Sequence, residues 1–178
     1  MRRSLDAFLN RRIYTALDPM ILAAIEDGRL EQVIVDYVVG RAEAQGVEVA
    51  DLLPQVDLAF THVYATWITE AEVFNGGFNQ YFFNSNGRLA PEAAAGYAAI
   101  GAPEREHIVR TAMQRVLENS ASLAPAWSQR TLEAFSASYD LEIFGDLDQA
   151  FYALEDVENA SKLRVAFIRA HPEELTAG

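Results

Sequence analysis

Within the sixteen residues from Glu72 to Gly87, EVFNGGFNQYFFNSNG, five aromatic rings and five carboxamides surround a Gly-Gly pair. Carboxamides and phenols orient a ligand through directed hydrogen bonds without net charge. Asn75, Gln80, Tyr81 and Asn84 are therefore the candidates for a polar pocket recognising a small molecule or a peptide. The glycines raise a second chemistry, a phosphate cradle built from backbone N–H groups at a helix start. The sequence argues against it, because no Lys with Ser or Thr follows Gly77 and the residues before Asn75 read as helix rather than strand. Glu70 and Glu72 stand just upstream, with His62 two helical turns before Glu70. An acid/base pair without a nucleophile or a metal completes no catalytic set, so no catalytic residues are expected.

A second constellation is acidic. Asp140, Glu142, Asp146 and Asp148 suggest a calcium loop until the register is checked. With Asp140 as the first ligand, Phe144 falls on the third ligand position, and Phe151 stands where an EF-hand needs its bidentate Glu. Cysteine is absent, and His62, His107 and His171 lie far apart in the chain, so neither a metal nor another cofactor is expected. From Thr131 through Ser161 there is no Lys or Arg, while Glu133, Asp140, Glu142, Asp146, Asp148, Glu155, Asp156 and Glu158 all fall inside. One-sign fields of this kind cost self-repulsion and are usually diluted with bases. The plain reading is a solvated acidic face; the sharper one is a surface for a basic protein partner.

The whole chain leans the same way, with 26 acids against 14 bases and a formal charge of −12. Direct binding to nucleic acid needs clustered Lys and Arg against phosphate, and such a charge balance argues against it. At 178 residues and 51% apolar, the chain can bury one real core. No apolar run reaches the length of a membrane span. The opening Met1-Arg2-Arg3-Ser4-Leu5-Asp6 lacks the apolar stretch of a secretory signal, so the expected compartment is the cytoplasm.

The elements that must hold these residues read as helices throughout, an all-α single domain of roughly eight to ten helices. Ser4 caps a first helix through about Leu17. Asp18-Pro19 starts a short helix that stops at Gly28, and Leu30 to about Ala44 follows, ended near Gly46. These are the N-terminal helices, 4–46. Val47 to Pro54 connects them to a central helix, Gln55 to Phe74, apolar on a wide face. Asn75, Gly76 and Gly77 break it. Phe78 to Ser85 then forms two turns, with Phe78 and Phe82 anchored in the core, Gln80 and Asn84 on a second face, and Tyr81 and Ser85 on a third. Further helices run from Ala90 to Ile100, with Gly96 allowing a close neighbour, and from Glu104 to Asn119. A helix capped by Ser128 carries Leu132 and Phe135; one introduced by an Asp146/Gln149 capping box covers Gln149 to Leu154; the last spans about Val157 to Ala170. Glu31 to Val39, rich in β-branched residues, is the place where a strand would compete.

NGGFNQYFFNSNG, residues 75–87, also resembles the signature of a bacterial DNA-mimic protein family, carried by Asn75, Gly76, Gly77, Phe78, Gln80, Tyr81, Asn84 and Ser85. The likeness continues through the acidic stretch Leu147 to Asp156 and through His171-Pro172-Glu173-Glu174, so it covers Gln55 to Leu175; the first fifty residues are unmatched. The resemblance implies an all-helical, non-enzymatic protein-interaction module. In the family's known member, acidic side chains on a helical dimer stand in for DNA phosphates and block a transcription factor. For this chain the implied partner is a basic DNA-binding protein, and a homodimer is the implied assembly. Since the motif itself is uncharged, it carries the fold, and any mimicry rests on the acids.

Overall fold

One helix organises the molecule. In the structure, a computed structural model that describes residues 11–129 and 131–176, Leu58–Ser85 runs as a single kinked rod that the other elements wrap. In chain order the helices are α1 (Pro19–Ala24), α2 (Asp27–Gln45), α3 (Val49–Leu52), α4 (Leu58–Ser85), α5 (Ala90–Ile100), α6 (Pro103–Glu118), α7 (Ser120–Gln129), α8 (Leu132–Tyr139), α9 (Gly145–Ala153) and α10 (Ala160–Ala170). Short 3₁₀ turns lie at Leu53–Gln55, Leu154–Asp156 and Pro172–Leu175. The all-α expectation holds for the described residues, and Glu31 to Val39 is helical. No helix among them is long and apolar enough to cross a membrane.

The first part of α4 is buried on several sides because its apolar residues cover more than one face: Phe60, Val63, Ala65 and Val73 are fully enclosed. Its buried threonines keep their hydroxyls satisfied along the helix, Thr66 donating to the His62 carbonyl at 2.7 Å and Thr69 to that of Ala65 at 2.7 Å. Gly96 lets α5 approach this face, since a Cβ there would sit 2.8 Å from Thr66 Cγ2 and 2.9 Å from the His62 carbonyl oxygen. Tyr97 closes the contact by donating to the Thr66 carbonyl at 3.1 Å.

Two arginines with no exposed surface clamp the bundle. Arg164 of α10 reaches Glu31 of α2 and Glu70 of α4. Arg105 of α6 donates through Nε to the Glu158 carbonyl at 2.9 Å and through Nη2 to Glu155 at 3.2 Å, with its guanidinium 4.4 Å from the centre of the Phe151 ring. A buried charge is tolerated only when it is paired and hydrogen-bonded, so these arginines fix where four helices meet.

Several boundaries differ from the sequence reading. Ser4 lies outside the described residues, and residues 11–17 are not helical, so the first helix does not extend to Leu17. Asp18 caps α1 as expected, accepting from the Ile21 N–H at 2.7 Å. That helix ends at Ala24 because Ile25 and Glu26 are extended, which puts Gly28 in the first turn of α2 instead of at a stop. The connector Val47 to Pro54 contains the turn α3. Thr131, not Ser128, caps α8, because α7 continues past Ser128 to Gln129. Asp146 does not cap α9; its carboxylate turns to Arg115. The last helix starts from Asn159, whose side chain accepts from the Lys162 N–H.

Candidate functional site

The motif is a kink, and three of the backbone groups around it bond to side chains from the acidic half of the chain. Gly76 (φ −161°, ψ 31°) and Gly77 (φ 68°, ψ −177°) depart from helical geometry within α4. A kink frees carbonyls and N–H groups that must find other partners when buried. Tyr152 donates to the Val73 carbonyl at 2.9 Å, Tyr139 donates to the Gly76 carbonyl at 2.6 Å, and Asp148 Oδ1 accepts from the Phe78 N–H at 2.8 Å. Asp148 thus caps the second half of α4 from another helix. Only glycine fits at 77, where φ is left-handed and a Cβ would lie 2.4 Å from Asp148 Oδ2. At 76 the backbone is extended, but a Cβ would meet Gln80 Oε1 at 2.3 Å.

Beyond the kink the side chains sort by face as the spacing suggests. Phe78 meets Phe82, Phe144 and Phe151 with ring centres 6.3, 6.4 and 5.5 Å apart. Gln80 and Asn84 both donate to Glu72 Oε2, at 2.8 and 2.7 Å. Ser85 donates to the Tyr81 carbonyl. The pocket expected from Asn75, Gln80, Tyr81 and Asn84 does not assemble. Asn75 is exposed, Gln80 and Asn84 are held on Glu72, and Tyr81 is fully buried on another face, where desolvation pushes its hydroxyl pKa well up. His62 and Glu70 do not pair either. Glu70 is bound by Arg164, while His62 packs edge-on against Phe167 and burial lowers its pKa.

The eight acids of the 133–158 block divide in two. Asp146 makes a two-pronged ion pair with Arg115, one contact at 2.6 Å, which pulls its carboxyl down to about 2. Glu158 caps α6 by accepting from the Glu104 and Arg105 N–H groups at 3.0 and 3.1 Å. Glu155 serves Arg105, and Asp148 serves Phe78; Asp148 is raised above the usual carboxylate range, chiefly by burial. Glu133, Asp140, Glu142 and Asp156 are exposed and carry no ion pair among the described residues.

Sequence reading missed the buried Arg105 and Arg164 and the wrapping hydroxyls of Tyr139 and Tyr152. The signal for the arginines was present: Ala160, Arg164, Phe167 and Ile168 share the buried face of α10, and Arg105, Ile108, Val109 and Ala112 that of α6. It also missed Asn79, which is 4% exposed and donates through Nδ2 to Ser138 Oγ at 2.8 Å. Asn79 lines a cleft of about 430 Å³ between the second half of α4, the end of α8 and the start of α9.

The family model of DMP19-like proteins matches residues 56–171, which takes in the kinked helix, the acidic block and the last helix. No curated protein and no solved structure matches the chain.

Proposed function

Because the chain belongs to the DMP19-like family, we propose that it is a non-enzymatic interaction module whose acidic face occupies the DNA-binding surface of a basic protein, in place of DNA. The observation that carries this reading is the division of the polar groups. The Phe78 N–H, Gln80 and Asn84 of the motif are bonded internally, whereas Glu133, Asp140, Glu142 and Asp156 project unneutralised from a chain of charge −12. Duplex DNA presents about one charge per 1.7 Å of axis, so a substitute needs carboxylates on a rigid support. The clamps at Arg105 and Arg164, and the capping by Asp148 and Glu158, supply that rigidity from below.

The test is binding of the whole protein to purified helix-turn-helix DNA-binding domains, with duplex DNA as competitor. The expected result is association that duplex DNA displaces and that weakens roughly tenfold or more between about 50 and about 200 mM salt. Salt-independent association, or simultaneous occupancy with DNA, overturns the reading.

A further inference from the structure

We propose that the cleft beside the kink is a socket for one arginine side chain of the basic partner. This rests on the acidic-surface reading and deepens it. The argument begins with what the cleft offers a ligand. Ser138 lines it, but its hydroxyl proton goes to the Phe135 carbonyl at 2.6 Å. Ser138 Oγ can therefore only accept from Asn79, which fixes the Asn79 amide with nitrogen toward Ser138 and Oδ1 free. That Oδ1 is buried and has no hydrogen-bond donor. A buried amide oxygen without a partner is costly, and a site that leaves one open is built for a donor.

The other polar groups around the cleft also accept. The Tyr139 hydroxyl proton is committed to the Gly76 carbonyl, Asp148 has one oxygen on the Phe78 N–H and the other left, and Glu142 is exposed with no ion pair among the described residues. Asp146 at the rim is already neutralised by Arg115. Glu142 is held at φ 49°, a left-handed conformation uncommon for a side-chain-bearing residue and found where surroundings impose it. The cleft is thus lined by Asn79, with its unpartnered amide oxygen, and by the acids Glu142 and Asp148, together with the apolar Ile143 and the aromatic residues Tyr139 and Phe144. A guanidinium matches this in three respects: it has only donors, several in one plane, and flat faces that stack on aromatic rings. An ammonium is a compact point charge and matches the charge alone.

The experiment is a heteronuclear NMR titration of the whole protein with acetyl-arginine-amide. Acetyl-citrulline-amide, the uncharged near-isostere, and acetyl-lysine-amide serve as comparisons. Saturable shifts centred on Asn79, Ser138, Glu142 and Gly145 are expected for arginine, with the other two at least about tenfold weaker. Glu142→Gln should weaken arginine several-fold, while Glu133→Gln, in the same acidic block but outside the cleft, should leave it unchanged. Equal binding of citrulline, equal losses from the two Gln variants, or shifts spread over all the acids overturn the socket. The helix-turn-helix binding assay keeps the two readings apart. Domains that bind in competition with DNA while arginine gives no saturable response sink the socket and leave the surface. A saturable arginine response without domain binding does the reverse.

Discussion

Glu70 and Glu142 carry the same functional group and do opposite work. Glu70 lies beneath the bundle surface, held by Arg164 and 3.9 Å from Arg105, and its charge joins helices. Glu142 stands in solvent after α8, and no ion pair among the described residues uses its charge. The same contrast separates Asp148 and Glu158, which cap helix starts, from Glu133, Asp140 and Asp156, which cap nothing. Counting acids along the sequence therefore overstates the surface field of the 133–158 block. It also hides how much of its charge is mechanical. If the division is right, acids of the first kind should be costly to change and free of effect on the partner except through folding. Acids of the second kind should be the converse.

The sharpest break is at Glu70. Glu70→Ala leaves two fully buried guanidiniums short of a carboxylate, and losing one member of a buried ion network costs about 3–5 kcal/mol. Urea denaturation should show it. Glu106→Ala removes only a surface pair with Arg110 one turn away, so the expected loss is about 0.5 kcal/mol or less. Equal losses from the two would erase the distinction between inner and outer acids.

Next in size is the kink. Gly77→Ala forces a side chain into a left-handed conformation and against the Asp148 carboxylate, for a combined cost on the order of 1–3 kcal/mol. A Gly77→Ala, Asp148→Ala double variant should cost less than the sum of the singles, because the clash and the lost cap share one carboxylate.

Smaller again is the charge on Asp148 itself. Burial raises its carboxyl in the folded protein, so the folded chain holds a proton at pH values where the unfolded chain has lost it. This group's contribution to stability therefore declines as pH rises from the ordinary carboxylate range through the raised value. Asp148→Asn keeps an oxygen for the Phe78 N–H and removes the charge. It should flatten that part of the stability profile, and Asp148→Ala should flatten it likewise while costing about 1 kcal/mol more than Asp148→Asn for the lost cap. A profile for Asp148→Asn with the slope of the parent protein would assign the pH dependence to another group.

How much of this was legible follows from how far apart the interacting residues lie. Pro91 and Gly101 bound α5 through signals within a few residues, and Gly46 and the Asp18-Pro19 pair mark their helix ends in the same way. The Gly76-Gly77 break was legible because glycine pairs interrupt a helix whatever surrounds them. What replaces the broken bonds was not, since Tyr139, Asp148 and Tyr152 arrive from more than sixty residues away. The shared face of Gln80 and Asn84 followed from their spacing. Their partner Glu72 did not, because on an unbroken helix Glu72 and Gln80 point about 80° apart, and it is the kink that brings them together. Asp146 had the local pattern of a helix cap, and Arg115, thirty-one residues earlier, offers it a stronger, charged partner.

The smallest expected effect on stability is also the one that bears most directly on function. Asp140, Glu142 and Asp156 are exposed, and no ion pair among the described residues uses them. Changing all three to Lys should move the unfolding midpoint little, each substitution within about 0.5 kcal/mol. It should even relieve repulsion among like charges. The same triple variant reverses three charges on the face assigned to a basic partner. Its association with a helix-turn-helix domain should fall by at least about tenfold at low salt, with the difference from the parent protein shrinking as salt screens the field. Reversing Glu155 and Glu158 would not serve this purpose. They hold Arg105 and the start of α6, and a loss of binding there could not be told from a loss of structure. A triple variant that stays folded and binds as tightly as the parent would place the partner surface elsewhere on the molecule and leave the outer acids a role in solubility alone.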